Sequence, residues 1–110
     1  MELAKTLQYL DECEDDFGNR TTSEVIGYVK EIVLEAQKLM ASPFPYGNPC
    51  GEDDGGIRIE WFKQEKSVVL VFRLEHPSYI YVFDNSTKIG EKSESFSAQE
   101  LAKQLDWLNQ

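Results

Sequence analysis

Ile57-Arg58-Ile59-Glu60-Trp61 alternates strictly between apolar and polar side chains, the period-two pattern of a strand with one buried face. Val68-Val69-Leu70-Val71-Phe72 follows after the short linker Lys63-Gln64-Glu65-Lys66, and Tyr79-Ile80-Tyr81-Val82-Phe83 after Glu75-His76-Pro77-Ser78. Linkers this short make neighbouring strands pair as antiparallel hairpins. The middle run is apolar at every position, which predicts a central strand covered on both faces, by helices on one side and helices or a docked loop on the other. Asp84-Asn85-Ser86-Thr87 reads as a further turn, and part of 88–95 as a polar edge strand whose lysines and glutamates discourage pairing with other chains.

Helices flank this β region. Residues 2–17 place Leu3, Leu7 and Leu10 on one stripe, extended by Cys13 and Phe17 and stopped by Gly18-Asn19. Thr21-Thr22-Ser23-Glu24 fits a capping box with Thr21 as N-cap. It precedes a five-turn apolar stripe of Val25, Val29, Ile32, Val33, Ala36, Leu39 and Met40 that ends at Ser42-Pro43. Ser97-Ala98-Gln99-Glu100 opens a last helix with Leu101, Leu105 and Leu108 inward. Residues 42–56 carry three prolines and four glycines and read as a long connection without regular structure, partly docked through Phe44 and Tyr46. The expected fold is α+β: two N-terminal helices, a three- or four-stranded antiparallel meander and a C-terminal helix, as one domain over 1–110.

The 110 residues carry 20 acids against 11 bases, a net charge of −9. The imbalance is local: residues 1–55 hold 12 acids and 4 bases, residues 56–110 hold 8 and 7. Its sources are Asp11, Glu12, Glu14, Asp15 and Asp16, then Glu52, Asp53 and Asp54. Net charge of this sign argues against direct binding of nucleic acid or of an anionic membrane surface, and the acidic clusters predict a contact with a basic partner. No apolar run is long enough to span a bilayer and no secretory leader is visible, so a cytoplasmic address is expected, with Cys13 and Cys50 as free thiols.

Templates for chemistry fit poorly. An EF-hand loop aligned on Gly18 or Gly55 puts a cysteine at its first ligand position, so no metal site is expected. Gly51-Glu52-Asp53-Asp54-Gly55-Gly56 lacks the lysine of a phosphate loop, and its carboxylates would repel phosphate. His76 is the sole histidine, and its hairpin position beside Pro77 gives no reason to pair it with either cysteine in catalysis. No catalytic residue and no cofactor is assigned. Trp61, Tyr79, Tyr81 and Phe83 resemble a base-stacking platform, but without basic neighbours in sequence a packed core is the better reading. Trp107, beside Leu108, is a candidate anchor for a protein contact, together with Tyr46.

Asp54-Gly55-Gly56-Ile57-Arg58-Ile59-Glu60-Trp61, behind a proline-containing loop and ahead of an apolar hairpin, resembles small bacterial proteins of antitoxin or immunity type. The resemblance spans roughly residues 43–83 and implies a non-enzymatic protein that binds and neutralises another. Two alternatives remain open: a nucleic-acid mimic that blocks an effector, as anti-CRISPR proteins do, and a structural subunit of a larger assembly that uses apolar surface around Phe44, Tyr46 and Trp107.

Overall fold

The computed structural model describes residues 2–11, 23–51, 55–74, 76–93 and 95–110. The elements run α1 (Glu2–Asp11), α2 (Ser23–Leu39), β1 (Asn48–Gly51), β2 (Ile57–Lys63), β3 (Lys66–Phe72), β4 (Tyr79–Asp84), β5 (Ile89–Ser93) and α3 (Ala98–Leu108). All five strands form one antiparallel meander in sequence order. The α+β class is therefore as expected, but the sheet has five strands rather than three or four. The fifth is β1, inside the connection expected to lack regular structure. Pro49 has no N–H to give a ladder, which hides a strand in sequence, yet an edge strand tolerates it; β1 pairs only with β2, Pro49 opposite Ile59.

Register assigns each face. Ile59, Leu70 and Ile80 stand in one cross-strand row, and Trp61, Val68 and Val82 in the next. Ile57, Ile59, Trp61, Val68, Leu70 and Ile80 are all fully buried. They share one core with Leu10 of α1, with Val25, Ile26, Val29, Val33 and Ala36 of α2, and with Leu101, Ala102, Leu105 and Leu108 of α3. Phe44 joins the same side, its ring edge-on to Trp61 at 6.0 Å. All three helices and the docked loop thus lie on one face. The expectation that β3 is covered on both faces is corrected: Val69 and Val71 point to a face on which no described helix lies. Val71 is nonetheless 4% exposed, shielded without belonging to the core.

The helix expected over 2–17 is described as far as Asp11; Cys13, Phe17 and the Gly18-Asn19 stop lie outside the described residues, as does the Thr21 cap. α2 begins at Ser23 with Glu24 in its first turn, and Leu39, expected inside, is half-exposed. Ser97 caps α3 as expected, accepting the Glu100 N–H at 3.1 Å. Among the described residues no helix is long and apolar enough to cross a membrane.

One joint holds α1, the loop and the sheet together. Gly47 lies so close to β2 that a Cβ there would stand 2.5 Å from Trp61 Nε1 and 2.8 Å from Ile59 Cγ2. Thr6 of α1, a fully buried polar residue, grips the same glycine. Its Oγ1 accepts the Gly47 N–H at 3.0 Å and donates to the Gly47 carbonyl at 3.3 Å. Both backbone groups of a buried loop residue are satisfied by one side chain, which avoids the penalty of burying them unpaired. Gly47→Ala is expected to cost about 1–3 kcal/mol through overpacking against the indole, read as a lower urea midpoint with an unchanged slope.

Candidate partner-binding site

α3 owes its position to contacts at both ends of its last two turns. Asp106 accepts the N–H groups of Ala41 and Ser42 at 3.0 and 3.1 Å, and the Ser42 hydroxyl as well. Asn109 Nδ2 donates to Ser42 Oγ and to the Pro43 carbonyl. The last turn of α3 contains no basic residue of its own. Instead Lys66, from the β2–β3 hairpin, donates to the Trp107 carbonyl at 2.9 Å and sits 4.9 Å from the centre of the Trp107 ring. A cation at the negative end of the helix dipole is favourable whichever element supplies it.

So anchored, α3 packs on β3 and β4 and leaves the helix-side face of β5 as an overhang. Between them runs a groove of about 510 Å³. Val82, Asp84, Ile89, Glu91 and Ser93 line the sheet side, and Glu100, Lys103, Gln104 and Trp107 the helix side. The helix residues recur at three- and four-residue spacing, so they form one stripe beside the buried Leu101–Leu105–Leu108 stripe. Val82 and Trp107 are partly buried against the core and form an apolar floor, while Ile89 is 65% exposed. Among the described residues lining the groove, three carboxylates stand against one ammonium. Glu100 accepts from Gln104 Nε2 at 2.7 Å. Asp84 accepts from the Ser86 hydroxyl at 2.6 Å and the Ser86 N–H at 3.0 Å, bonds that hold its carboxyl below the usual range.

The opposite face of the sheet is different in kind. A shallow depression of about 440 Å³ is lined by Arg58, Glu60, Val69, Val71, Arg73, Tyr79, Tyr81 and Lys92. The four aromatic residues considered together in sequence are therefore divided. Trp61 is core, whereas Tyr79 and Tyr81 line this depression beside three cations and Phe83 follows them by alternation along β4. The expectation of a packed core without basic neighbours holds for Trp61 alone, because Arg58 and Lys92 come from flanking strands that sequence proximity does not reveal.

Of the residues assigned to partner binding, Asp11 ends α1, and Glu12, Glu14, Asp15, Asp16, Glu52, Asp53 and Asp54 lie outside the described residues. Tyr46 is 40% exposed and packs edge-on against Tyr9 of α1 at 6.2 Å, on the β1 side of the sheet. Trp107 lines the groove on the β5 side, so the two aromatic candidates are not brought together. Asp84, Glu91 and Glu100 were not singled out in sequence; the Glu100, Gln104, Trp107 spacing on a capped helix was the signal available for part of the groove. Among the described residues Cys50 is a free, half-buried thiol, and no three His, Cys, Asp or Glu side chains gather as a metal-binding group. No known family model, curated protein or solved structure matches the chain.

Hydrogen bonds from Ser42 and Ala41 hold the Asp106 carboxyl below its ordinary pKa of 3.8. A depressed folded-state value stabilises above the unfolded pKa and loses that contribution as pH falls through the folded one. Asp106→Asn is therefore expected to lower the Tm at neutral pH, with the gap from the parent closing as the pH drops below 3.8; thermal unfolding across pH measures it.

Proposed function

We propose that this chain is a non-enzymatic protein-binding module of antitoxin, immunity or inhibitor type, working in the cytoplasm and neutralising a partner with a basic surface. The observation that carries the reading is the groove between α3 and β4–β5, with its apolar floor of Val82 and Trp107 and its rim of Asp84, Glu91 and Glu100. An apolar floor gives a partner side chain a place to be desolvated, while rim carboxylates reject acidic competitors and steer basic ones. The excess of carboxylates in residues 11–16 and 52–54 adds to the negative field that such a partner meets at longer range. The likeness of residues 54–61 to antitoxin- and immunity-type proteins supports the same class.

The groove suits a basic amphipathic segment better than a small molecule. It is open along its length, and its polar groups lie on the rim rather than converging on one point. Glu91 and Glu100 face the groove from its two walls, so reversing both changes its charge without touching the buried stripe of α3. A partner retained from host extract at low salt is expected to associate with the E91K/E100K variant about tenfold or more slowly, in keeping with the size of electrostatic steering, while the variant stays folded with a modestly lower Tm, because Glu100 lies in the first turn of α3. Association kinetics measured across salt decide the matter: a rate insensitive to both salt and charge reversal contradicts the proposal.

A further inference from the structure

We infer that the open face of the sheet, opposite the helices, is a binding site for single-stranded nucleic acid. Tyr79, Tyr81 and Phe83 alternate along β4 and so share this face, each about 6.8 Å from the next by strand geometry. Phe83 pairs across to Gly90 of β5. A Cβ on Gly90 would run into the Tyr81 hydroxyl and stand 3.0 Å from the Phe83 ring. The two rings therefore lean over the space that a side chain at position 90 would fill, and lie along the sheet instead of standing from it. Aromatic side chains set in a row on an open sheet face are the feature on which successive bases stack.

Cations surround this row. Arg58 is paired across β3 with the Tyr79 position through Val71, and Lys92 lies directly opposite Tyr81. Lys92 Nζ is 4.5 Å from the centre of the Tyr79 ring, and Arg73 follows β3 on the same depression. Among the described residues lining the depression Glu60 is the one carboxylate; Arg58 Nε stands 3.5 Å from it, and the Arg58 side chain is 43% exposed. In a chain of net charge −9, the described residues lining this depression thus set three cations against one carboxylate.

Charge and shape select the occupant. A second copy of the chain would set like cations against each other across a face-to-face sheet contact. An acidic peptide would satisfy the cations but make no use of three rings in line. A duplex keeps the faces of its bases inside its own stack. A single strand offers phosphates to Arg58, Arg73 and Lys92 and base faces to the rings. The negative charge elsewhere does not forbid this, because at physiological salt it is screened beyond about 8 Å.

Fluorescence anisotropy with labelled oligouridylate and oligothymidylate tests the site in the full chain. Binding is expected at low salt, with log K falling against log salt at a slope of about −2 for three cations on a single strand. Tyr81→Ala is expected to weaken binding at least about fivefold, the lower end for one base stacked on an aromatic ring, and Tyr81→Phe to restore it. Lys92→Glu, an exposed edge position, is expected to weaken binding and flatten the salt slope, and so serves if Tyr81→Ala fails to fold. The inference is overturned by absence of binding at low salt. It is equally overturned by equal affinity for the matching duplex, by tighter binding of an oligoglutamate peptide, or by a folded Tyr81→Ala of unchanged affinity. These readouts are independent of the groove and of any protein partner.

Discussion

The contact of Gly47 with the Trp61 indole is the constraint on which the rest of the molecule depends. Trp61 is the largest fully buried side chain and lies on β2, between the edge strand and the centre of the sheet. Its ring is closed over by Phe44 and by the Gly47 backbone, and that backbone is in turn held by Thr6 of α1. A large aromatic with a bare backbone on one side has a single well-packed arrangement. The loop cannot withdraw without exposing the indole, and α1 cannot leave without stranding two buried backbone groups. The proline-rich connection is thereby fixed at Gly47, and β1 begins at the next residue in register with β2.

From that joint the helix layer is ordered outward. The Phe44–Tyr46 segment begins where Asp106 and Asn109 of α3 hold Ser42 and Pro43, so the same connection reaches α1 at one end and α3 at the other. Lysines of the β2–β3 hairpin then complete the carboxyl end of α3. A helix without basic residues in its last turn is a poor helix in isolation. Here the missing charge is supplied from the sheet, which ties the helix axis to the hairpin and fixes the width of the groove against β5.

How far this was legible in the sequence depended on whether a residue's role was local. The alternation of Ile57, Ile59 and Trp61, the Ser97 N-cap and the Leu101–Leu105–Leu108 stripe are each complete within a few residues, and each took the form its pattern predicts; of the Ser97–Glu100 capping box the structure shows the Ser97 half, while Glu100 accepts from Gln104. β1 escaped because Pro49 and Gly51 carry turn chemistry while their strand character comes from β2. The fully apolar β3 was ambiguous for a physical reason. Val69 and Val71 line the open face, where apolar residues mimic in sequence the signature of a second covering layer. Thr6 gave no sign at all, since a single threonine in a helix reads as surface until its partner, a glycine 41 residues away, is known. The groove and the aromatic row are assembled from two to four elements each, so their parts were visible and their union was not.

The same distinction governs charge. A net value of −9 is a sum over the chain, and binding responds to the field at a face. In this sheet the two faces of β4 and β5 differ in sign over a distance of one side chain. Glu91 and Asp84 point toward α3, while Lys92 and the Tyr79–Tyr81–Phe83 row point away from it. Strand alternation makes such a division possible, because a sequence as mixed as Ile89-Gly90-Glu91-Lys92-Ser93 is sorted residue by residue onto opposite surfaces. Gly90 has a part in that sorting, since its missing side chain lets the rings settle on one face without altering the other. A strand that reads in sequence as a polar edge, built to avoid partners, is therefore also the shared wall of an acidic groove and a cationic aromatic surface. Those two surfaces keep their opposite chemistry only while β5 stays paired in its present register. A slip of one residue would exchange Glu91 for Lys92 and carry Gly90 out from under the rings.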